Sequence, residues 1–233
     1  MAITLSLRSN LWFDKTYHPW VGCHKVSGGC MNCFMFDLRK NSGVNPNTVT
    51  KSGPVAFNFP RTVPRGTILF VCPFSDFFIE EADAWRSDCW HLFKSLPDIN
   101  FIIPTKRQER IANCLPDFWP LKNVFLGVSC ENQYRYEERT DVLFSIPDCP
   151  GYVVIFEPLL GRITPGYVPR NSWGIVGGEI GQNNRPLNFD HVYHLRECLT
   201  AQNIPFYFHQ IDGIKEIPDF VFLRQFPNFL VGG

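Results

Sequence analysis

The chain has 233 residues, 45% of them hydrophobic and 19% charged, with 22 Lys and Arg balancing 22 Asp and Glu. Such a composition suits one soluble globular domain with a sizeable core and excludes a disordered chain. No apolar run reaches the ~18 residues of a membrane span. Zero net charge advertises no global basic field for nucleic acid, while leaving a local basic patch open.

In chain order, Met1 to Asn10 carries one Arg and lacks the long apolar core of a signal peptide. A strand-like segment precedes the glycine- and cysteine-rich loop 22–34, and residues 41–66, rich in Asn, Pro, Gly and Ser, read as a long irregular connection covering it. Thr67-Ile68-Leu69-Phe70-Val71-Cys72 is a compact apolar run between Gly66 and Pro73. A helix over 80–95 follows, then an apolar run over 100–103 and a helix from Lys106 to Cys114. Val124 to Ser129 is strand-like, 131–145 helical, and Tyr152 to Phe156 and Trp173 to Val176 strand-like. A helix near 188–202 leads to Pro205 to Phe208, and 213–233 forms a tail on the body of a single domain, 1–233. Continuous rather than alternating apolar runs suit parallel strands buried on both faces. The fold class expected is α/β, a parallel sheet, open or rolled into a barrel, of about six or seven strand–helix units against the eight of a full barrel.

Nine cysteines, three of them within eleven positions, point to metal or redox chemistry in a chain without a secretion signal, and to a cytoplasmic setting. Cys23, Cys30 and Cys33 are spaced C-x6-C-x2-C, among glycines at 22, 28 and 29 that let a loop fold closely around an inorganic centre. Three thiolates hold three irons of a [4Fe–4S] cluster and leave the fourth open, the arrangement that cleavage of S-adenosylmethionine requires. Zinc is the competing metal, with His24 or another Cys as fourth ligand, and plain buried thiols are the bland alternative. Cys72 and Cys130 lie near strand ends within reach of the same site. Cys89, Cys114, Cys149 and Cys198 read as structural.

In parallel α/β folds the site collects at strand C-termini. Those positions here hold Ser75 and Asp76, Thr105, Lys106 and Arg107, Ser129, Glu131 and Asn132, Glu157, Gly177, Gly178 and Glu179, and His209 and Gln210. Ser75, Thr105 and Asn132 have a bland reading as helix caps, and Lys106, Arg107 and Glu131 as solvated charges. Recurrence at nearly every strand end argues more strongly for a site than any one member does. Ser75, Asp76, Ser129, Glu131, Asn132, Glu157, Gly177, Gly178 and Glu179 are the cofactor-binding candidates. Lys106, Arg107, His209 and Gln210 are the substrate-binding candidates, the two cations for a carboxylate or phosphate.

The ordered segments Pro19 to Cys23, Ser27 to Cys33, Ser75 to Phe78, Thr105 to Arg107, Gly127 to Asn132, Glu157 to Gly161 and Val176 to Glu179 resemble the phage-associated three-cysteine-motif family. The likeness runs from about residue 10 to residue 213. That family is largely uncharacterised and regarded as related to radical S-adenosylmethionine proteins. The resemblance implies a partial (β/α) barrel, a [4Fe–4S] cluster and S-adenosylmethionine, and supplies no substrate. Three departures stand out: cysteine spacing three residues longer than in the widely known radical enzymes, Phe34 where Tyr is usual, and His209 where the family tends to have Lys. A permanent cation at the last position is therefore lost.

The reading that follows is a radical enzyme that passes one electron to the sulfonium and abstracts a substrate hydrogen, with a nucleotide or nucleic-acid base as the substrate class that phage association suggests. Its partners would be the small-molecule cosubstrate and a reductant protein such as a flavodoxin or ferredoxin, with no membrane. Nucleic acid as a partner gains no support from net charge. The alternatives are a non-catalytic zinc-binding module of phage origin and a hydrolase or lyase built on the strand-end carboxylates.

Overall fold

A computed structural model describes residues 11–213 and 215–231. In chain order the elements are β1 (Lys15–Tyr17), β2 (Trp20–Val21), α1 (Phe34–Asn41), β3 (Thr50–Lys51), α2 (Pro54–Phe57), β4 (Ile68–Val71), α3 (Asp83–Lys94), β5 (Asn100–Thr105) and α4 (Ile111–Cys114). They continue with β6 (Val124–Ser129), α5 (Gln133–Ser145), β7 (Tyr152–Phe156), β8 (Ser172–Gly177), α6 (Phe189–Ala201), β9 (Phe206–Gln210) and α7 (Asn228–Val231). Seven strands form one curled, all-parallel sheet in the order β1-β4-β5-β6-β7-β8-β9. Each new strand joins the same edge, so the sheet rolls into a half-barrel with helices outside. The parallel α/β sheet expected from the apolar runs, and the partial barrel that the resemblance implies, are observed.

Every residue of β6, β7 and β8 is buried, and two separate apolar layers explain why. Leu69, Val71, Phe101, Ile103, Leu126, Val128, Val154 and Phe156 belong to the large core shared with the helices. Phe93 of α3 stacks on Phe101 at 4.0 Å, and Tyr136 of α5 on Phe156 at 5.9 Å. The alternate positions Ile68, Ile102, Phe125, Val153, Trp173, Ile175 and Tyr207 face the other way, against Trp12, Phe226 and Leu230. Trp12 on one side and Phe226 and Leu230 on the other therefore fill the inside of the half-barrel. The tail also protects the sheet edge: Phe208 N donates to Leu223 O (2.8 Å) and Gln225 N to Phe206 O (2.9 Å), antiparallel to β9.

Three elements depart from the sequence expectation. The helix expected over Lys106 to Cys114 is only a 3-10 turn, Gln108–Arg110, followed by the four residues of α4. Lys106 N is captured by the Asp76 carboxylate (3.1 Å) and Arg107 N by Thr105 Oγ1 (2.8 Å), and Pro116 disfavours helix at the preceding Leu115. The β7–β8 connection contains no helix, consistent with Pro158, Gly161, Pro165, Gly166 and Pro169 along it. Segment 41–66 is more ordered than expected: β3 pairs antiparallel with β2, and α2 and a 3-10 turn follow. Among the described residues no helix is long and apolar enough to cross a membrane.

Candidate functional site

The cysteine loop begins where Gly22 adopts φ +100°, a left-handed conformation in which a Cβ would stand 2.2 Å from Thr48 O. Gly22 N donates to Phe74 O and Cys23 N to Pro46 O, both at 2.9 Å, fixing the loop against the turn after β4 and the 41–66 segment. A 3-10 turn, Gly28–Cys30, brings the chain round, and Cys33 caps the start of α1. Cys23, Cys30 and Cys33 then line one cavity of about 120 Å³ at the C-terminal ends of the strands, with Lys106, Arg107 and Ser129 on its walls. Cys72 lines it too, whereas Cys130 is buried elsewhere in the core.

The three thiols sit in unequal fields. Burial, then the Asp76 charge, pushes Cys23 up to about 12, with Arg107 opposing. Burial likewise raises Cys33. At Cys30 burial also acts upward, but the Lys106 ammonium and the backbone N–H groups of Val26 and Ser27 outweigh it, so that thiol is lowered. Among the described residues no three His, Cys, Asp or Glu side chains converge closely enough to hold a single ion. His24 instead hydrogen-bonds Glu81 (Nε2 to Oε1, 2.5 Å).

Strand-end polar groups grip this loop from several sides. Ser75 Oγ donates to Gly22 O at 2.6 Å. Buried Asp76 accepts from Thr105 Oγ1 (2.7 and 2.8 Å) and pairs with Arg107 (3.2 Å), whose guanidinium also donates to His24 O (3.0 Å) and lies 3.8 Å from Cys23 Sγ. Glu131 accepts from Gly29 N (3.0 Å) and from Arg139 of α5 (2.9 Å). Burial would raise its carboxyl, but the Ser27 side chain, the Arg139 charge and the Gly29 N–H together hold it low. Glu179 takes Asn32 Nδ2 (3.0 Å) and the Arg185 guanidinium, and Arg185 also donates to Gly28 O (2.9 Å). Against the opposing effect of burial, Arg185 and Asn32 hold the Glu179 carboxyl at about 2.

Two of the four acidic residues read from sequence as cofactor contacts, Glu131 and Glu179, thus spend polar atoms on the cysteine loop, Asp76 reaches it through Arg107, and Lys106 and Arg107 face the thiols. Asn132 caps α5, accepting from Arg135 N at 3.0 Å. Gly177 and Gly178 serve close packing: a Cβ would lie 2.7 Å from Glu157 Oε2 at the first and 1.8 Å from Ile211 O at the second. Glu157, His209 and Gln210 form a separate group (His209 Nδ1 to Oε2 2.8 Å, Gln210 Nε2 to Oε1 2.7 Å) in a neighbouring cavity of about 790 Å³.

Sequence reasoning missed Arg139 and Arg185. Arg139 had a faint signal, lying on the helical face of Tyr136, Thr140 and Leu143, all buried. Arg185 sits on an irregular loop and offered none.

Residues 9–218 match the model of a family described as "Protein of unknown function (DUF5131)". The chain belongs to this family. The match spans every strand of the half-barrel and the whole cysteine loop of this DUF5131 protein. No curated protein and no solved structure matches it.

Proposed function

We propose that this DUF5131 protein is a radical S-adenosylmethionine enzyme, acting in the cytoplasm and akin to the phage-associated three-cysteine-motif proteins its ordered segments resemble. The observation that carries the proposal is the shared cavity. Three thiols of one loop line it, beside Lys106 and Arg107. A [4Fe–4S] cluster suits such a set, because three thiolates hold three of its irons and leave the fourth open. Cys23, Cys30 and Cys33 would hold the cluster, with the fourth iron left for S-adenosylmethionine. When bound and reduced by a flavodoxin or ferredoxin, the cluster supplies the electron that breaks the sulfonium C–S bond, yielding a 5′-deoxyadenosyl radical.

The chain's own residues prepare that chemistry. Lys106 and Arg107 offset the negative charge of ligating thiolates, and Lys106 favours the anionic form of Cys30. Ser75, Glu131 and the Glu179–Arg185 pair fix the loop backbone at Gly22, Gly29 and Gly28, so the thiols are held before any metal arrives. The helix-covered sheet and the filled inside of the half-barrel keep water from one side of the site.

Anaerobic purification followed by iron and sulfide analysis tests the proposal. A brown protein with about four irons and four sulfides per chain is expected, together with 5′-deoxyadenosine formed from S-adenosylmethionine under reductant. Cys30→Ala should lose both. A colourless protein carrying one zinc, or product that persists in Cys30→Ala, would overturn it.

A further inference from the structure

The cavity of about 790 Å³ adjoins the thiol cavity, Phe70 and Pro73 lining both. Phe34, which also lines it, follows Cys33 directly. Its volume falls in the range of small-molecule sites. Five phenyl rings line it, and Phe13 meets Phe70 at 5.3 Å and Phe34 meets Phe74 at 5.8 Å between ring centroids. Such walls favour a flat π-system.

The polar end is built differently. Glu157 accepts one hydrogen bond on each oxygen, from His209 and Gln210, and each oxygen keeps a further lone pair. His209 engages that carboxylate through Nδ1. Gln210 Oε1 is taken by Gly213 N at 2.7 Å. The spare lone pairs of Glu157 therefore offer acceptors to the cavity, and a ligand that pairs with them brings N–H donors. Cations at the rim are committed, Lys215 to Asp212 (2.9 Å) and Arg224 to the carbonyls of Phe208 and His209 (3.1 and 3.2 Å). Among the described residues no arginine fork faces inward for a phosphate.

From these features we infer that this cavity binds an amino-bearing nucleobase or its nucleoside, without phosphate, as the substrate of the reaction proposed above. Its role as substrate rests on that reading. Binding itself rests on the cavity alone, so the two fail separately.

Isothermal titration of cluster-loaded protein and of Cys30→Ala with adenosine, guanosine and cytidine tests the assignment, with purine riboside as the amino-free analogue. At least one nucleoside should saturate both proteins alike, and purine riboside should bind at least ten-fold more weakly than adenosine. The 5′-monophosphates should bind no more tightly than the nucleosides. Glu157→Gln and Phe74→Ala, each verified as folded by circular dichroism, should weaken binding ten-fold or more. The assignment is overturned by no saturable binding, by equal binding of purine riboside, by unchanged affinity in folded Glu157→Gln, or by displacement of the nucleoside by S-adenosylmethionine. The last result would give the cavity to the cosubstrate. Nucleoside binding to anaerobically purified wild-type protein that holds no iron would keep the site and sink the radical reading.

Discussion

Replacing Glu131 tests whether strand-end carboxylates hold the cysteine loop. Its side chain is 1% exposed and that of its partner Arg139 is 2% exposed, at 2.9 Å. Glu131→Ala strands the Arg139 cation with only the Ser129 carbonyl and orphans the Gly29 amide. Breaking such a pair costs about 3–5 kcal/mol, and the unmet amide adds about 1 kcal/mol. At roughly 2–4 °C per kcal/mol for a domain of this size, Tm should fall by about 8–24 °C. Thermal and urea unfolding of the metal-free protein, followed by circular dichroism, measure this without reference to any cofactor. The double variant Glu131→Ala/Arg139→Met removes the stranded charge and should recover most of the loss. Iron content should stay low in it, because Gly29 still lacks its acceptor. A loss below about 1 kcal/mol in Glu131→Ala, or a double variant no more stable than the single, would refute the clamp.

Three further outcomes are expected. Gly22→Ala forces a Cβ to 2.2 Å from Thr48 O at φ +100° and should cost about 2–6 kcal/mol in urea unfolding, whereas Gly28→Ala, with open space at its Cβ, should stay within about 1 kcal/mol of wild type. Phe226→Ala empties the place beside Trp173 and Tyr207, each 5.3 Å away between ring centroids, and should lower stability by about 3–5 kcal/mol on the same assay. The Glu179 carboxyl lies at about 2 in the folded chain against an ordinary 4.5, so the unfolded chain takes up the proton first. Its contribution, about 3 kcal/mol, is complete above pH ~4.5 and drains away as pH falls toward ~2. Urea midpoints measured from pH 6 to pH 3 should lose that slope in Glu179→Gln, and an unchanged slope would count against the pairing.

The half-barrel was legible because strands buried on both faces must be apolar at successive positions, and Val124–Ser129 and Tyr152–Phe156 are such runs. The cysteine loop was legible for a local reason, its three thiols lying within eleven residues. What stayed hidden needed the fold. The end of β5 read as a helix start until Asp76, about thirty residues earlier in the chain, took the amide of Lys106. Glu179 stood out as an acidic strand end, but its contacts, Asn32 and Arg185, come from opposite sides in sequence.

That division bears on where chemistry can occur. A carboxylate whose oxygens are filled by loop amides and buried arginines is a poor ligand-binding group, since a newcomer must displace donors already matched in strength. Glu131 and Glu179 are in that state. Lys106 faces the thiols, and Glu157 and His209 face the larger cavity, with acceptor or donor capacity left over. The strand ends therefore split into two groups along the rim. The β6 and β8 ends, with Asp76 after β4, shape the cysteine loop, while the ends of β7 and β9 hold the groups able to read a second molecule. A functional screen should therefore separate them: substitutions at Glu131 or Glu179 should change stability and metal content together, and substitutions at Glu157 should change ligand affinity with both held constant.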